Sequence, residues 1–152
     1  MNGYLILKLA HIFCAIIAVG ANMSYALWLT LGKMNPEHTL FALRGIKRLD
    51  DWIANPAYFL ALATGHVMLF VGDISITTPW VLLGEVLFVL QGVIALPFYT
   101  PTLRKQIAAA EQFGLQSAEF RALESRATIL GVTLNILAVA IVAVMVFKPS
   151  FW

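Results

Sequence analysis

The sequence predicts an all-α integral membrane protein, a four-helix bundle whose spans run up-down-up-down and whose termini both lie on the external side. Of its 152 residues, 61% are hydrophobic and only 12% are charged, whereas soluble domains are about 45–50% apolar and about 25% charged. Four apolar stretches also have the roughly 20 residues that a spanning helix needs. We expect a single transmembrane domain over residues 1–152.

The same composition excludes several classes of protein. Ten Lys and Arg against eight Asp and Glu give a net charge of +2, and the sequence carries no basic stripe or nucleic-acid motif. Cys14 is the only cysteine, so no internal disulfide can form. The first apolar run has no basic segment before it and is longer than that of a signal peptide, which predicts a retained spanning helix.

The predicted spans cover residues 4–31, 52–72, 80–99 and 128–147. A seven-residue turn, DISITTP, joins the second span to the third. The longer connecting segments, 32–51 and 100–127, look partly helical. Asn35 is the expected N-cap of a helix that has Pro36 as its first residue, and Gly114 is the expected break in the second segment.

Basic residues are distributed unequally between the two membrane faces. The face that carries the termini, side A, has only Lys8 and Lys148. The opposite face, side B, holds segments 32–51 and 100–127. Because short loops rich in Lys and Arg stay in the cytoplasm, we expect side B to be cytoplasmic, in a bacterial inner membrane. The eight basic residues of side B are Lys33, Arg44, Lys47, Arg48, Arg104, Lys105, Arg121 and Arg126.

Two histidines lie inside apolar spans, where ionisable side chains are rare and usually functional. His11 is seven residues into the first span and His66 is six residues from the end of the second. Each therefore lies roughly 9–10 Å from side A, at 1.5 Å per residue. Asn22 and Asn55 each lie eleven residues from the histidine of their span and project in nearly the same direction. The equal depth predicts that the imidazoles face one another and hold one haem b between them.

Glu85, five residues into the third span, is roughly 8 Å from side A. A carboxylate at this depth needs a partner in the bundle interior, and Lys8 and the two histidines are the candidates. By accepting the free ring N–H of a ligand histidine, Glu85 would make that imidazole a better metal ligand. The predicted cofactor site contains His11, His66, Lys8, Glu85, Asn22 and Asn55, with His11 and His66 as metal ligands.

Four segments resemble a family of uncharacterised small bacterial four-helix membrane proteins: YLILKLAH, DDWIANPAYFLALATGHVML, PWVLLGEVLFVLQG and VAVMVFKP. That family is distantly similar to the membrane protoporphyrinogen oxidase of the HemJ type and to copper-resistance membrane proteins of the CopD type. Lys8-Leu-Ala-His11 matches the Lys-x-x-His segment of the HemJ-type enzymes, and the resemblance implies that His11 binds haem. The chain lacks their second histidine in the first span and has Gly84-Glu85 where they carry a lysine.

Three functions stay open at this point. The first is a b-type cytochrome that transfers one electron near the external face, since two histidines fill both axial positions of haem iron. The second, implied by the resemblance, is a membrane enzyme of haem biosynthesis with Lys8 on a propionate. The third is a non-catalytic small subunit of a larger membrane complex, in which His11, His66 and Glu85 form an internal polar clasp. Copper transport is less favoured.

The expected partners are the bilayer and a redox partner, a larger complex or a second copy, but not nucleic acid.

Overall fold

The computed structural model of the chain describes residues 3–150 and is helical over most of that range. Two wider, π-type turns, Asp50–Ala54 and Ala95–Tyr99, join α2 to α3 and α4 to α5. Residues 3–150 contain no strand. In chain order the helices are α1 (Gly3–Met34), α2 (Pro36–Leu49), α3 (Asn55–Val71), α4 (Pro79–Ile94), α5 (Thr100–Phe113) and α6 (Ala118–Phe147).

The six helices form four long rods, and each rod is long and apolar enough to cross a membrane. The rods are α1, α2 with α3 (Pro36–Val71), α4 with α5 (Pro79–Phe113), and α6. The predicted four-helix membrane bundle is therefore confirmed.

Both ends of the described chain lie beside the turn that joins α3 to α4. At the first end, the Tyr4 ring lies against Gly72. At the other end, Nζ of Lys148 is 5.0 Å from the centre of the Trp80 ring. The chain ends therefore share one face, side A. The compartment that side A faces, and the bacterial inner membrane as the location, stay predictions.

The two long connecting segments are largely helical. Residues 36–49 and 100–113 are helices that continue into the neighbouring spans, so the predicted span boundaries at residues 52 and 99 are not helix ends. The expected start and break are confirmed. Helix α2 begins at Pro36 after Asn35, and α5 ends before Gly114, whose φ of +81° favours glycine.

Proline explains why these two rods contain a widened turn. Pro56 and Pro101 are the second residues of α3 and α5, and a proline ring in a helix collides with the carbonyl four residues earlier. In the π-type turns the preceding N–H groups bond five residues back, Asn55 to the Asp50 carbonyl and Thr100 to the Ala95 carbonyl. The wider spacing makes room for the ring, and the helix continues.

The packing differs between the two halves of the bundle. Helix α1 packs along α2 and α3, while α6 packs along α4 and α5. The largest fully buried side chains, Leu43, Ile46 and Leu103, lie on α2 and α5, at side B. Toward side A the buried residues are small, such as Ala18 and Ala138. Along their described lengths, no α-carbon of α3 comes within 8 Å of one in α4.

Large apolar side chains cover the outside of the rods. Phe59, Phe70 and Val146 are 71%, 86% and 69% exposed. A soluble monomer rarely exposes continuous apolar surface on this scale. The outer surface therefore contacts the lipid bilayer.

The turn from α1 to α2 depends on Gly32. A Cβ added there would lie 3.2 Å from the Thr39 α-carbon and 3.3 Å from the Ala42 Cβ. Because one of these neighbours is backbone, it cannot rotate away. The two helices can therefore approach this closely only because residue 32 has no side chain.

We expect Gly32→Ala to lower the free energy of unfolding by about 1–3 kcal/mol, the usual cost of overpacking. Thermal unfolding in mild detergent, followed by circular dichroism at 222 nm, measures the change. Gly92→Ala is the matched control, because a Cβ at Gly92 meets nothing within 4 Å. Equal stability of the two variants would contradict the tight approach of α1 and α2.

Candidate functional site

The His11 imidazole lies directly against α3. Its Nδ1 is 2.8 Å from the Ala61 carbonyl oxygen and 3.1 Å from Oγ1 of Thr64. Since a carbonyl oxygen only accepts hydrogen bonds, Nδ1 carries the proton and donates a hydrogen bond to the Ala61 carbonyl oxygen. The Thr64 hydroxyl itself donates to the Leu60 carbonyl at 2.7 Å. His11 is therefore a hydrogen-bonded contact between α1 and α3.

Small residues allow this approach. A Cβ at Gly65 would lie only 3.1 Å from Cε1 of His11, so the ring occupies the space that a side chain would take. Ala57 and Ala61 on the same helix are buried. Small residues let membrane helices pack closely, and here they let an imidazole reach the backbone of the neighbouring helix.

The His66 imidazole points to a different helix. Its Nδ1 donates to the Leu62 carbonyl of its own helix at 3.0 Å. This leaves Nε2 facing α4, where it lies 3.7 Å from Oε1 of Glu85. The two side chains are 39% and 27% exposed. Of the three partners predicted for Glu85, His66 is the one that lies beside it.

The predicted face-to-face arrangement of the two histidines is wrong. Both rings do lie at nearly one level, because His11 contacts Gly65, which precedes His66. However, His11 is held against the backbone of α3 itself, while His66 extends from α3 toward α4. A porphyrin between them would need to enter a contact in which the helices already touch. Depth was therefore predictable, and the direction of the rings was not.

The other predicted site residues are dispersed. Nδ2 of Asn22 donates to the Tyr58 hydroxyl at 2.9 Å, and Nδ2 of Asn55 donates to the Asp50 carboxylate at 3.3 Å. Lys8 is exposed. Over residues 3–150, no three or more His, Cys, Asp or Glu side chains come together in a way that could hold a metal ion. The structure brings together only His66 and Glu85 of the predicted set.

Several interior polar residues were not predicted. Asp50 is 5% exposed although it precedes the second predicted span. The Tyr25 hydroxyl faces Asp50, but the two groups do not have the geometry of a hydrogen bond. Tyr58 lies between Asn22 and Gln91, and its ring packs edge-on against Phe88 at 6.2 Å. One signal was available in the sequence. Tyr25 is one turn after Asn22, and Tyr58 one turn after Asn55, so each tyrosine shares a face with a predicted polar residue.

We expect His11→Ala to lower the free energy of unfolding by about 1–3 kcal/mol, because the Ala61 carbonyl loses a buried donor and a cavity is left beside Gly65. Thermal unfolding in detergent measures the loss. His38→Ala is the matched control, since the His38 side chain is 65% exposed on α2. Equal midpoints for the two variants would show that the His11 contact does not stabilise the bundle.

Comparison with known proteins agrees with this architecture. A family model described as "Predicted integral membrane protein (DUF2269)" matches residues 5–149. No curated protein and no solved structure matches the chain. The match extends over all four rods and includes the His66–Glu85 contact. The chain therefore belongs to the DUF2269 family of predicted integral membrane proteins.

Proposed function

We propose that this protein transfers protons within the membrane, with His66 and Glu85 as the exchange pair near side A. The observation that carries the proposal is their contact, in which Nε2 and Oε1 are 3.7 Å apart on facing spans. His66 is five residues before the end of α3 and Glu85 is six residues after the start of α4, so both are roughly 8–9 Å deep. Ionisable groups at this depth are costly, and pairs of them mark proton relays.

The chemistry of the pair suits the transfer of a proton. An imidazole changes charge near neutral pH, and a carboxylate beside it can accept the same proton. The 3.7 Å between the two atoms must first shorten to hydrogen-bond distance. Transfer of the proton from Nε2–H of the imidazolium to Oε1 of Glu85 then converts an ion pair into two neutral groups. No electron moves and no bond other than N–H and O–H changes. The neutral state lowers the cost of keeping both groups in an apolar environment.

Further polar groups continue from this pair toward side B. Tyr58 and Asn22 form the next contact, at 2.9 Å, and Tyr25 follows one turn along α1. Asp50, 5% exposed, lies beside Tyr25 at the start of the second span. Together they form a series of hydroxyl, amide and carboxyl groups through the interior of the bundle.

The longest interval in this series is between the exchange pair and Tyr58. His66 and Tyr58 are eight residues apart, a rise of about 12 Å, which is longer than one hydrogen bond. Gln91 lies within that interval, six residues from Glu85, and its Oε1 is buried with no hydrogen-bond partner in residues 3–150. An oxygen of this kind can bind a water that bridges two polar groups. Proton transfer by this route therefore requires internal water.

We expect the protein in vesicles to acidify their lumen faster than protein-free vesicles when a potassium gradient and valinomycin supply the driving voltage. A trapped pH-sensitive dye reports the rate. His66→Gln and Glu85→Gln should each reduce the rate to the protein-free level, since each removes one group of the exchange pair. His38→Gln is the matched control, because His38 lies 3.9 Å from Glu37 in an exposed pair on α2.

The same variants separate proton transfer from the structural clasp that the sequence also suggested. A clasp predicts that His66→Gln and Glu85→Gln lower the unfolding midpoint and that the wild-type protein conducts no protons. Proton transfer predicts loss of the flux in variants that remain folded. A wild-type rate equal to that of protein-free vesicles contradicts the proposal.

Haem binding and one-electron transfer stay predictions, but the ligand pair that motivated them does not form here. We expect the purified protein with added haemin to lack the sharp reduced α and β bands of bis-histidine haem, because His11 and His66 do not share a space. Oxidised and reduced absorption spectra test this. Sharp bands that change in both His11→Ala and His66→Ala would restore the cytochrome hypothesis.

A further inference from the structure

A cavity of about 240 Å³ lies between α1 and α6 at the side B half of the bundle. Its inner wall comes from α2 and from the turn and helix at Ala95–Phe113. It lies on a different helix interface from the His66–Glu85 pair, although Asn22 and Tyr25 of the polar series toward side B are among its lining residues. Six of its lining residues bear on what it binds: Tyr25, Leu29, Lys33, Ile46, Gln106 and Asn135.

Two of the lining residues have buried polar atoms without hydrogen bonds. The amide of Asn135 donates to the Gly131 carbonyl at 3.1 Å, so its Oδ1 is left as a free acceptor. Neither this oxygen nor the Tyr25 hydroxyl has a hydrogen bond of good geometry within the described range of the chain, although the hydroxyl faces the Asp50 carboxylate. Buried polar atoms nearly always find a partner. These atoms therefore favour a ligand that donates and accepts hydrogen bonds.

The charges around the cavity favour a neutral ligand. Among the lining residues within positions 3–150, Lys33 is the only charged one. Its Nζ lies at the rim and is already 3.2 Å from Oε1 of Glu124 on α6. An anion would compete with Glu124 for Lys33, and none of the described lining residues offers a carboxylate to a cation. A charged ligand would therefore enter this apolar region without a counter-ion, at high cost.

Size and access point to a ring compound that arrives from the bilayer. A cavity of about 150 Å³ holds a benzene molecule, so 240 Å³ has room for a substituted ring. Leu29 and Ile46 supply apolar walls. The lining residues Ala26, Thr30 and Val132 are exposed on the outer face between α1 and α6. The cavity therefore opens sideways, where lipid surrounds the bundle.

We propose that this cavity binds a small neutral ring compound that carries a hydroxyl group. The hydroxyl donates to Oδ1 of Asn135 and accepts from the Tyr25 hydroxyl, while the ring packs against Leu29 and Ile46. Proton transfer at His66 and Glu85 is not required for this site, so either proposal can fail without the other.

Fluorine NMR with three probes of one ring size tests the proposal on the full chain in mild detergent. The probes are 4-fluorophenol, 4-fluorotoluene and 4-fluorobenzoate, and titration of the line shift gives each dissociation constant. We expect 4-fluorophenol to bind most tightly, 4-fluorotoluene about 25-fold more weakly for the loss of two hydrogen bonds at about five-fold each, and 4-fluorobenzoate not at all above the empty-micelle signal.

Variants locate the binding. Asn135→Leu and Tyr25→Phe should each weaken 4-fluorophenol about five-fold and leave 4-fluorotoluene unchanged. Tyr4→Phe is the control for Tyr25→Phe, because Tyr4 lies at side A beside Gly72. Ala26→Trp, at the exposed opening, should abolish binding of both neutral probes without affecting the core.

Three results would overturn the proposal. Binding of no probe would mean that the cavity holds only water. Equal binding of 4-fluorophenol and 4-fluorotoluene would mean that it is an apolar void without hydrogen-bond recognition. Tighter binding of 4-fluorobenzoate than of either neutral probe would mean that Lys33, and not Asn135, determines what binds.

Discussion

Hydrocarbon supplies no hydrogen-bond partners, so each polar side chain in a spanning helix must find its partner inside the protein. In this bundle that constraint is met between α1 and α3. His11 reaches the Ala61 carbonyl and Asn22 reaches the Tyr58 hydroxyl, so two polar groups of α1 are satisfied by α3. Glu85 has no such group on α6 and is approached by His66 across a wider space. At side A, α1 and α3 form the closest interface and α3 and α4 form the loosest. Both interfaces follow from the positions of these hydrogen-bonding and charged partners.

The two halves of the bundle are stabilised in different ways. At side B, large side chains from four helices form one core around Leu43, Ile46 and Leu103. At side A, alanines and glycines allow backbone approach within each pair of helices, and the methyl group of Met145 occupies the space left by Gly84. The two pairs meet there through polar and aromatic contacts. The half with less apolar packing is thus the half that contains the ionisable pair.

Hydropathy was sufficient to predict the four spans, because the transfer of a helix into lipid depends on its own composition. Depth was also predictable, since rise per residue is constant, and His11 and His66 do lie level. The partner of each ring was not predictable. That depends on which neighbour each helix face meets, and Gly65 allows α1 to approach α3 so closely that His11 bonds its backbone. The burial of Asp50 was not predictable for the same reason. The sequence places Asp50 in a connecting segment, whereas the fold buries it.

The rods are much longer than the bilayer is thick. Pro36–Val71 has 36 residues and Pro79–Phe113 has 35, lengths of about 54 and 53 Å, against about 30 Å of hydrocarbon. The excess lies on the side where α2, α5 and the first turns of α6 carry the charged residues. The α2 and α5 ends of these two rods therefore extend beyond the acyl chains at side B. A thicker or thinner bilayer would then cover more or less of these two rods at side B.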